Sequence, residues 1–586
     1  MIYENSKVAC IMIGGLIAGI VLVVALARWF VLRARAKSER KLLESYGRVP
    51  TEVNDMRHVR SYHEHALQSD GEHSYIDATT WNDLSMDSVY RRIDTCHCSV
   101  GEEYLYHILH DAQVRLSTLE LRGMLRKWFS EDVHSRLRLQ RILKGIGKRS
   151  GSGLAPYLFD PVAKRLSHDW VYGILALLPF VALTILPLSM QVGMGMLLCV
   201  VCVNATVSVF MGRSLESDLE SLRYFSALVH GAKVMQRVFG DRLREARMGN
   251  LAETGGTSKA TLRADVDDIG NLGDDLKAAL APYKNMRGVL PGSMHQTAAE
   301  LELPLLLFKA VFLVDLILYN RTVDLMIAHN LELRRLYTIV GELDTAVSAA
   351  SFCASLPWFC SPHFREENTI EVEEGFHPLV VDPVPNSVVL DNDCIVTGSN
   401  ASGKSTFIKM IAVNHILAQT LHVCCAKAYS LGRAQVVSSM ALRDNIEGGE
   451  SYFMAEIRSL RRIMDECKSQ RCVCFIDEIL RGTNTPERIA ASTAVLRVLH
   501  QTESLCLVAS HDVELTRILE RVYGNYHFSE RFGGNEVVFD YLLKEGPSRT
   551  RNAIRLLEYM GFDAHLVAEA RAMLGKAEDA EVILEN

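Results

Sequence analysis

An α/β domain with a largely parallel sheet, lying C-terminal to a mostly helical region, is the architecture this sequence predicts. Three observations carry it. Beyond Glu366, short apolar strands alternate with helical stretches. Between Trp81 and Ser351 the apolar spacing is mostly helical, as in Tyr104-Leu105-x-x-Ile108-Leu109. Uncharged runs of membrane-spanning length precede and interrupt that helical region. The 586 residues suffice for roughly three or four folding units. A net charge of −7 gives no global basic field, so any nucleic-acid contact would rest on local patches. The 14 cysteines are scattered, and several, such as Cys472 and Cys474, sit inside apolar runs. Such positions suit small buried thiols in a reducing compartment better than a disulfide framework. Cys96-His97-Cys98 has no second cluster at zinc spacing, so no structural zinc is expected and a packed segment is the better reading.

Taken in order, residues 1–41 read as an anchor with a basic flank. Val8 to Ala27 is 20 residues without a charge, enough to cross a hydrocarbon core of about 30 Å as a helix. Arg28, Arg33, Arg35, Lys37, Arg40 and Lys41 follow it against only Lys7 before it, which places the N-terminus outside and the basic flank in the cytoplasm. A cleaved signal would carry its charge before the apolar run. Residues 42–80 are polar and histidine-bearing with little periodicity, and read as a solvated linker. Residues 81–169 are helical.

Residues 170–212 form a second uncharged stretch, 43 residues from Trp170 to Gly212. Pro187-Leu188-Ser189-Met190-Gln191 breaks it into two segments near spanning length, hence a helical hairpin. Lys164, Arg165 and Arg213 flank it and the turn is uncharged, so both ends lie on the cytoplasmic side. Three transmembrane helices in a multi-pass cell-membrane protein result, with everything after Arg213 inside. Residues 213–365 continue the helical region, with an exposed loop expected over 250–275, where Gly255-Gly256 and several acids gather. Leu301 to Tyr319 is apolar but contains Lys309 and Asp315, which are expensive in lipid. A fourth crossing would also put the C-terminal domain outside, so this stretch reads as a buried helix. Residues 366–586 form the α/β domain.

That domain carries the chemistry. Gly398-Ser399-Asn400-Ala401-Ser402-Gly403-Lys404-Ser405 fits G-x-x-x-x-G-K-S, directly after the apolar strand Cys394-Ile395-Val396 and before the helix-like stretch Thr406 to Gln419. Strand, glycine loop and helix define a P-loop NTPase. The glycines turn backbone N–H groups toward phosphates, and the helix N-terminus adds the positive end of a dipole. Lys404 is placed for the β- and γ-phosphates of ATP, and the Ser405 hydroxyl for Mg²⁺. Cys472-Val-Cys-Phe-Ile-Asp477-Glu478 is a buried strand ending in two acids. Asp477 is placed to hold the magnesium, and Glu478 to orient or deprotonate the attacking water. A third strand, Leu505-Cys-Leu-Val-Ala, ends at Ser510-His511, where a histidine can sense the γ-phosphate.

Four motifs in this order resemble those of the MutS mismatch-repair family. Thr397 to Thr406 looks like its phosphate loop. Gly449-Glu-Ser451-Tyr-Phe-Met454-Ala-Glu456 resembles its serine-containing signature. Asp477-Glu-Ile-Leu-Arg481-Gly-Thr483-Asn-Thr485 resembles its extended magnesium-binding segment, with Leu480 where glycine is usual. Ala509-Ser-His511-Asp-x-Glu-Leu515 resembles its histidine loop. Upstream, His377-Pro378 is similar to the strand entry that lies near the base in this family. The resemblance implies an ABC/MutS-type domain in which two copies sandwich ATP. Ser451 would then reach the γ-phosphate bound by the partner chain, and one copy per chain implies a homodimer. Ser99-Val-Gly101-Glu-x-x-Leu105 is similar to the start of the MutS helical core, and Glu342-Leu343-Asp344 to the end of its lever helices, which makes the hairpin an insertion into that core.

The family's mismatch-reading domain, with its N-terminal Phe-x-Glu motif, has no counterpart in the first 80 residues. Phe364-x-Glu366 and Phe528-x-Glu530 fit the letters but sit beside or inside the ATPase segment, and read as accidental. Two functions follow. One is a membrane-anchored, dimeric, ATP-driven clamp or switch on mismatched, branched or duplex DNA. The other is a membrane-associated mechanochemical ATPase acting on a protein or lipid partner. An ABC transporter is the third reading, for which three spans without an intramembrane charge make a poor pathway.

Overall fold

The helix Asn330–Ala354 is the axis of the helical region, and its composition explains why. From Ile339 to Cys353 every residue is buried, and the run is rich in Gly, Ala and Ser. Small side chains let the neighbouring helices Ser99–His110 and Leu116–Glu131 approach from two sides. The computed structural model describes residues 28–30, 32–51, 56–69, 74–148, 153–253, 272–284, 307–399, 402–440, 452–533, 536–548, 554, 557–558 and 560–573. The apolar stretch Val8 to Ala27 therefore lies outside the described residues. Among the described residues, two helices are long and apolar enough to cross a membrane, Val162–Ile185 and Met190–Ser214. They pair as a hairpin whose outer faces expose Trp170, Leu177, Leu188 and Leu198.

Three expectations are corrected here. The supposed linker 42–80 contains a helix, Met56–Ser69, which buries Val59, His63 and Ala66 against Ser99–His110. Its buried positions recur at helical spacing, but one of them is a histidine, so the apolar stripe was hidden. The loop expected over 250–275 is helical at both of its described ends, because the helix Glu216–Glu253 runs on to Glu253 and residues 272–280 are helical; residues 254–271 lie outside the described residues. The stretch Leu301 to Tyr319 is not a buried helix throughout. Leu307 and Phe308 are 57% and 54% exposed, and a break at Leu313, with φ +49°, separates residues 307–311 from the helix Val314–Ala328.

The α/β domain opens slightly before the expected boundary at 366, with β1 (His363–Arg365). It continues with β2 (Ile370–Gly375), β3 (Asn386–Leu390), β4 (Cys394–Thr397), β5 (Ala428–Gly432) and β6 (Gln435–Ser439). Beyond these lie β7 (Cys472–Asp477), β8 (Leu505–Ser510), β9 (Gly524–His527), β10 (Glu530–Gly533), β11 (Glu536–Phe539) and β12 (Lys544–Glu545). The main sheet has the order β12-β9-β4-β8-β7-β6, parallel from β9 to β6, with β12 antiparallel at one edge. A smaller sheet, β1-β5-β2-β3, lies beside it, and β10 and β11 form a hairpin. Strands β4, β7 and β8 are buried throughout, as continuous apolar runs covered on both faces must be.

The helix Lys404–Leu421 joins the two halves of the molecule. It is buried almost all round, contacting β6, β7 and β8 as well as the helices Ser99–His110 and Leu116–Glu131. At its C-terminal end Arg122 Nη1 donates to the Thr420 carbonyl at 2.6 Å while Nη2 donates to Glu342 Oε1 at 2.8 Å. Tyr104 Oη donates to the same carboxylate at 2.7 Å. Burial pulls the Arg122 pKa down, but Glu342 and Tyr104 more than reverse this and leave it raised. Nearby, Asp344 accepts from the His97 and Cys98 amides at 3.0 and 2.9 Å and from the Cys98 thiol at 3.0 Å. The Cys96-His97-Cys98 segment is thus tied to the helix Asn330–Ala354 by a carboxylate.

Candidate nucleotide-binding site

The end of β4 sets the site. Thr397 is followed by Gly398 at φ +147°, and Gly403, at φ +108°, starts the helix Lys404–Leu421. A Cβ at Gly398 would come within 2.8 Å of the Phe528 carbonyl and 2.9 Å of Ser402 Oγ, so glycine is required there for space as well as conformation. Beside this loop lies a cavity of about 560 Å³ lined by Ser399, Ser402, Gly403, Lys404, Ser405, Thr406 and Glu478 on its polar side. Asn400 and Ala401 lie outside the described residues. Lys404 Nζ donates to the carbonyls of Gly398 and Ser399 at 2.7 and 2.8 Å. Burial pulls its pKa down, against the opposing pull of Glu478 and Asp477.

Glu478 and Asp477 come from the end of β7. Glu478 sits in the left-handed region at φ +58°, and its amide donates to the Ala509 carbonyl of β8 at 2.9 Å. Its Oε1 meets His511 Nε2 at 2.5 Å and its Oε2 pairs with Arg481. Burial raises the Glu478 pKa, but the bond to His511 and the charges of His511, Arg481 and Lys404 hold it below the usual carboxylate range. The structure therefore brings Lys404, Ser405, Asp477, Glu478 and His511 to neighbouring strand ends, with His511 engaged by Glu478. Ser451 lies outside the described residues. The helix Tyr452–Ser469 that follows it is tied to the acidic segment, where Glu456 Oε1 accepts from the Arg481 amide at 3.1 Å.

Leu480 has φ +56°, the conformation in which glycine is favoured. A left-handed non-glycine residue costs roughly 1–2 kcal/mol, whereas burying a leucine contributes about 1.5–3 kcal/mol. Leu480 is 5% exposed in a cluster with Ile463, Ile476 and Leu496. Burial outweighs the strain, which explains how leucine stands in this turn. The next helix is held by its own cap, with Asn484 accepting from the Glu487 amide at 3.1 Å. Arg488 pairs twice with Asp512, at 2.9 and 2.7 Å, fixing the segment after His511.

The other wall of the cavity is apolar. His377 lines it beside Phe376, Val380, Val381 and Pro383, with Met410 and Tyr541 closing it; Pro378 is next in the chain but does not line it. Burial pushes the His377 pKa down to about 4, so the ring is neutral near pH 7, and its Nδ1 accepts from the Leu379 amide at 3.2 Å. Sequence reasoning missed Tyr541 and the 380–384 turn. Only Val380-Val-Asp-Pro-Val-Pro385, a turn-forming run one residue after His377-Pro378, signalled the turn. Phe528, part of a Phe-x-Glu match read as accidental, lines this cavity inside the α/β domain, and its amide donates to Thr397 O at 2.9 Å.

The residues present fit a magnesium nucleotide. Asp477 Oδ1, Ser399 Oγ and Ser402 Oγ are buried without a hydrogen-bond partner around the lysine, an arrangement that is costly unless a charged, oxygen-rich group belongs there. An apolar wall opposite a cationic, glycine-lined loop suits a base at one end and phosphates at the other.

Comparison with known families agrees with this geometry. Residues 394–578 match the family model of MutS domain V. The match supports membership of the MutS family, whose members are ATPases. Domain V is an ATPase-type α/β domain, here following a largely helical region. It begins at Cys394, the first residue of β4, and so takes in the phosphate loop, both acidic residues and His511.

Proposed function

We propose that this chain hydrolyses ATP to ADP and phosphate through its MutS domain V, as a membrane-anchored homodimer that clamps or releases DNA. The observation carrying the ATPase reading is the convergence of Lys404, Ser405, Asp477, Glu478 and His511 beside one cavity of about 560 Å³. Gly398 to Thr406 would hold the phosphates, and His377 with the apolar wall would hold the base. Ser405 and Asp477 would hold Mg²⁺, which supplies charge neutralisation on the phosphate oxygens. Glu478, ionised at neutral pH, would orient the attacking water and accept its proton, with His511 and Arg481 fixing the carboxylate. Ser451 of each chain would complete the site of the other. Mixing Ser451→Ala with Lys404→Ala chains tests this, because one composite site then keeps both native residues. Heterodimers no more active than either parent would remove the across-dimer role.

The DNA part rests on family membership and is the part to test first. Detergent-purified protein should bind duplex, branched or mismatched DNA with an affinity that falls steeply with salt. No binding at low salt would favour the second reading, a mechanochemical ATPase working on a protein or lipid partner. The specific observation favouring that reading is the hairpin, whose apolar faces are largely exposed and which leads into the helix Glu216–Glu253. In the proposed orientation the N-terminus and the turn near Ser189 are outside and domain V is cytoplasmic. Cysteines placed at Ser6 and Ser189 should label with an impermeant thiol reagent in intact cells, and one at exposed Ser469 only after lysis. Labelling at Ser469 in intact cells would reverse the orientation.

A further inference from the structure

The hairpin carries one polar side chain deep in its interior. Asn204, fully buried, lies about halfway along the helix Met190–Ser214. Its Nδ2 donates to two backbone carbonyls, Leu175 O at 2.9 Å and Val311 O at 2.7 Å. Both acceptors have a reason to need a donor. Leu175 lies four residues before Pro179, which sits inside the helix Asp169–Ile185 and has no N–H to give back. Val311 lies at the break where Leu313 turns to φ +49° before the helix Val314–Ala328. A single amide with two hydrogens thus satisfies two carbonyls released by two separate helix irregularities.

That contact sets residues 307–313 beside the middle of the hairpin. Phe312 packs on Phe180 at a ring separation of 5.1 Å and on Phe308 at 4.8 Å. Leu313 and Leu316 form a cluster with Leu215, against which Leu175 and Val207 pack. From Asp169 to Phe180 is a rise of roughly 16 Å at 1.5 Å per residue, about half of a hydrocarbon core of some 30 Å. Leu307 and Phe308 continue the exposed apolar surface formed by Leu177 and Phe180. Irregular backbone at such depth is tolerated only where it is buried in protein with its polar groups satisfied; here the exposed residues 307 and 308 are helical, and the break is covered at Leu313, with Asn204 on the freed carbonyl. Lys309, half-buried next to Phe308, has a stem long enough to carry its ammonium toward water.

We propose that residues 307–313 are a further intramembrane element beside the hairpin, a re-entrant segment that faces lipid acyl chains and is latched to the hairpin by Asn204. The inference rests on the reading of the hairpin as membrane-spanning, and it leaves the number of crossings unchanged. It replaces a cytoplasmic helix with a segment that dips into the bilayer and returns through Val314–Ala328, where Arg165 meets Asp324 at 3.1 Å at the membrane face.

The test uses full-length protein in phosphatidylcholine–phosphatidylglycerol vesicles, with Cys10, Cys199 and Cys202 replaced by serine. A nitroxide is attached at Phe308→Cys, with Leu198→Cys on the hairpin and Leu331→Cys as references. Leu198 and Leu331 are 68% and 62% exposed. The expected result is a shift of the Phe308 label toward oxygen accessibility over a water-soluble nickel chelate, matching Leu198 and opposite to Leu331. Adding Asn204→Leu should move the Phe308 label back toward the aqueous values while Leu198 stays in lipid. A Phe308 label that behaves like Leu331 while Leu198 lies in lipid overturns the re-entrant segment and leaves the hairpin reading intact. A label shielded from both reagents means a protein surface, such as a second copy of this chain, covers the segment, and also overturns the proposal. Aqueous values at both Phe308 and Leu198 would remove the membrane reading itself, and the inference with it.

Discussion

The nucleotide end and the hairpin end of this molecule treat liberated polar groups differently, although Asn204 Oδ1 in the hairpin is itself buried without a partner. At the nucleotide end Asp477 Oδ1, Ser399 Oγ and Ser402 Oγ are buried and left without partners around Lys404. In the hairpin the carbonyls released by Pro179 and by the break at Leu313 are both satisfied by one asparagine amide. The difference follows from what each end is built to meet. A site for a charged ligand keeps acceptors and donors unspent until the ligand arrives, whereas carbonyls enclosed among packed apolar helices have no later partner and must be satisfied at once. Between the two, the ion pair of Arg122 and Glu342 is fully satisfied and serves to hold the halves together.

Substitutions at the three places should therefore fail in different ways. Glu478→Gln should slow ATP hydrolysis by roughly 10²–10⁴-fold while leaving nucleotide binding and the unfolding midpoint little changed. Wild-type turnover, measured by phosphate release, would move the water-activating role elsewhere. Arg122→Met should do the reverse. It leaves Glu342 buried without its cation and should cost about 3–5 kcal/mol of stability by denaturant unfolding. Adding Glu342→Gln should recover part of that loss, and no recovery would mean that the bond to the Thr420 carbonyl dominates. Lys404→Ala should weaken ATP binding by roughly 100-fold, the loss of a charge-assisted contact of about 3 kcal/mol, without unfolding the protein. Unchanged affinity in a calorimetric titration would refute the lysine's role.

The smallest expected effect depends on pH. Burial lifts the Glu103 pKa to about 8, although Tyr337 Oη donates to its Oε2 at 2.7 Å. A carboxyl raised in the folded state favours folding while it is protonated in the native state. That contribution is complete below its ordinary unfolded value, near 4.5, and fades as pH climbs toward about 8. Glu103→Gln should therefore gain stability relative to the native chain as pH rises from 6 to 8, by roughly 2–3 kcal/mol in all, and level off above that. A stability difference that stays flat with pH would show that Glu103 is charged in the folded protein.

How much of this was legible in the sequence differs between the two ends for a physical reason. Phosphate binding needs contiguous residues, a strand, a glycine loop and a lysine, so Gly398 to Ser405 could be read directly. Base binding needs only an apolar wall from distant segments, so Tyr541 and the 380–384 turn left little trace. Asn204 was invisible as a latch because one of its acceptors lies 107 residues away. Inside an apolar run it looked like any tolerated polar residue. The stretch around Lys309 was misjudged as one buried helix because its composition does not show the break at Leu313 or the exposure of Leu307 and Phe308. In Met56–Ser69, a histidine among the buried positions obscured an amphipathic pattern that burial makes plain.

The helix Lys404–Leu421 has a mechanical consequence. Its 18 residues make a rod about 27 Å long. Its first turn sits at the phosphate loop, and the guanidinium of Arg122 is fastened to its last turn at Thr420. An α-helix packed on all sides is stiff along its axis, so a displacement imposed at Gly403 would be carried to the far end. There Arg122 is paired with Glu342, on the helix Asn330–Ala354. Only a turn at His329 separates that helix from Val314–Ala328 and the hairpin contact at Leu316. The stroke of such a train is set by stiffness rather than by charge, so softening any one link, for instance by a glycine pair in mid-rod, should uncouple the two ends while leaving each intact.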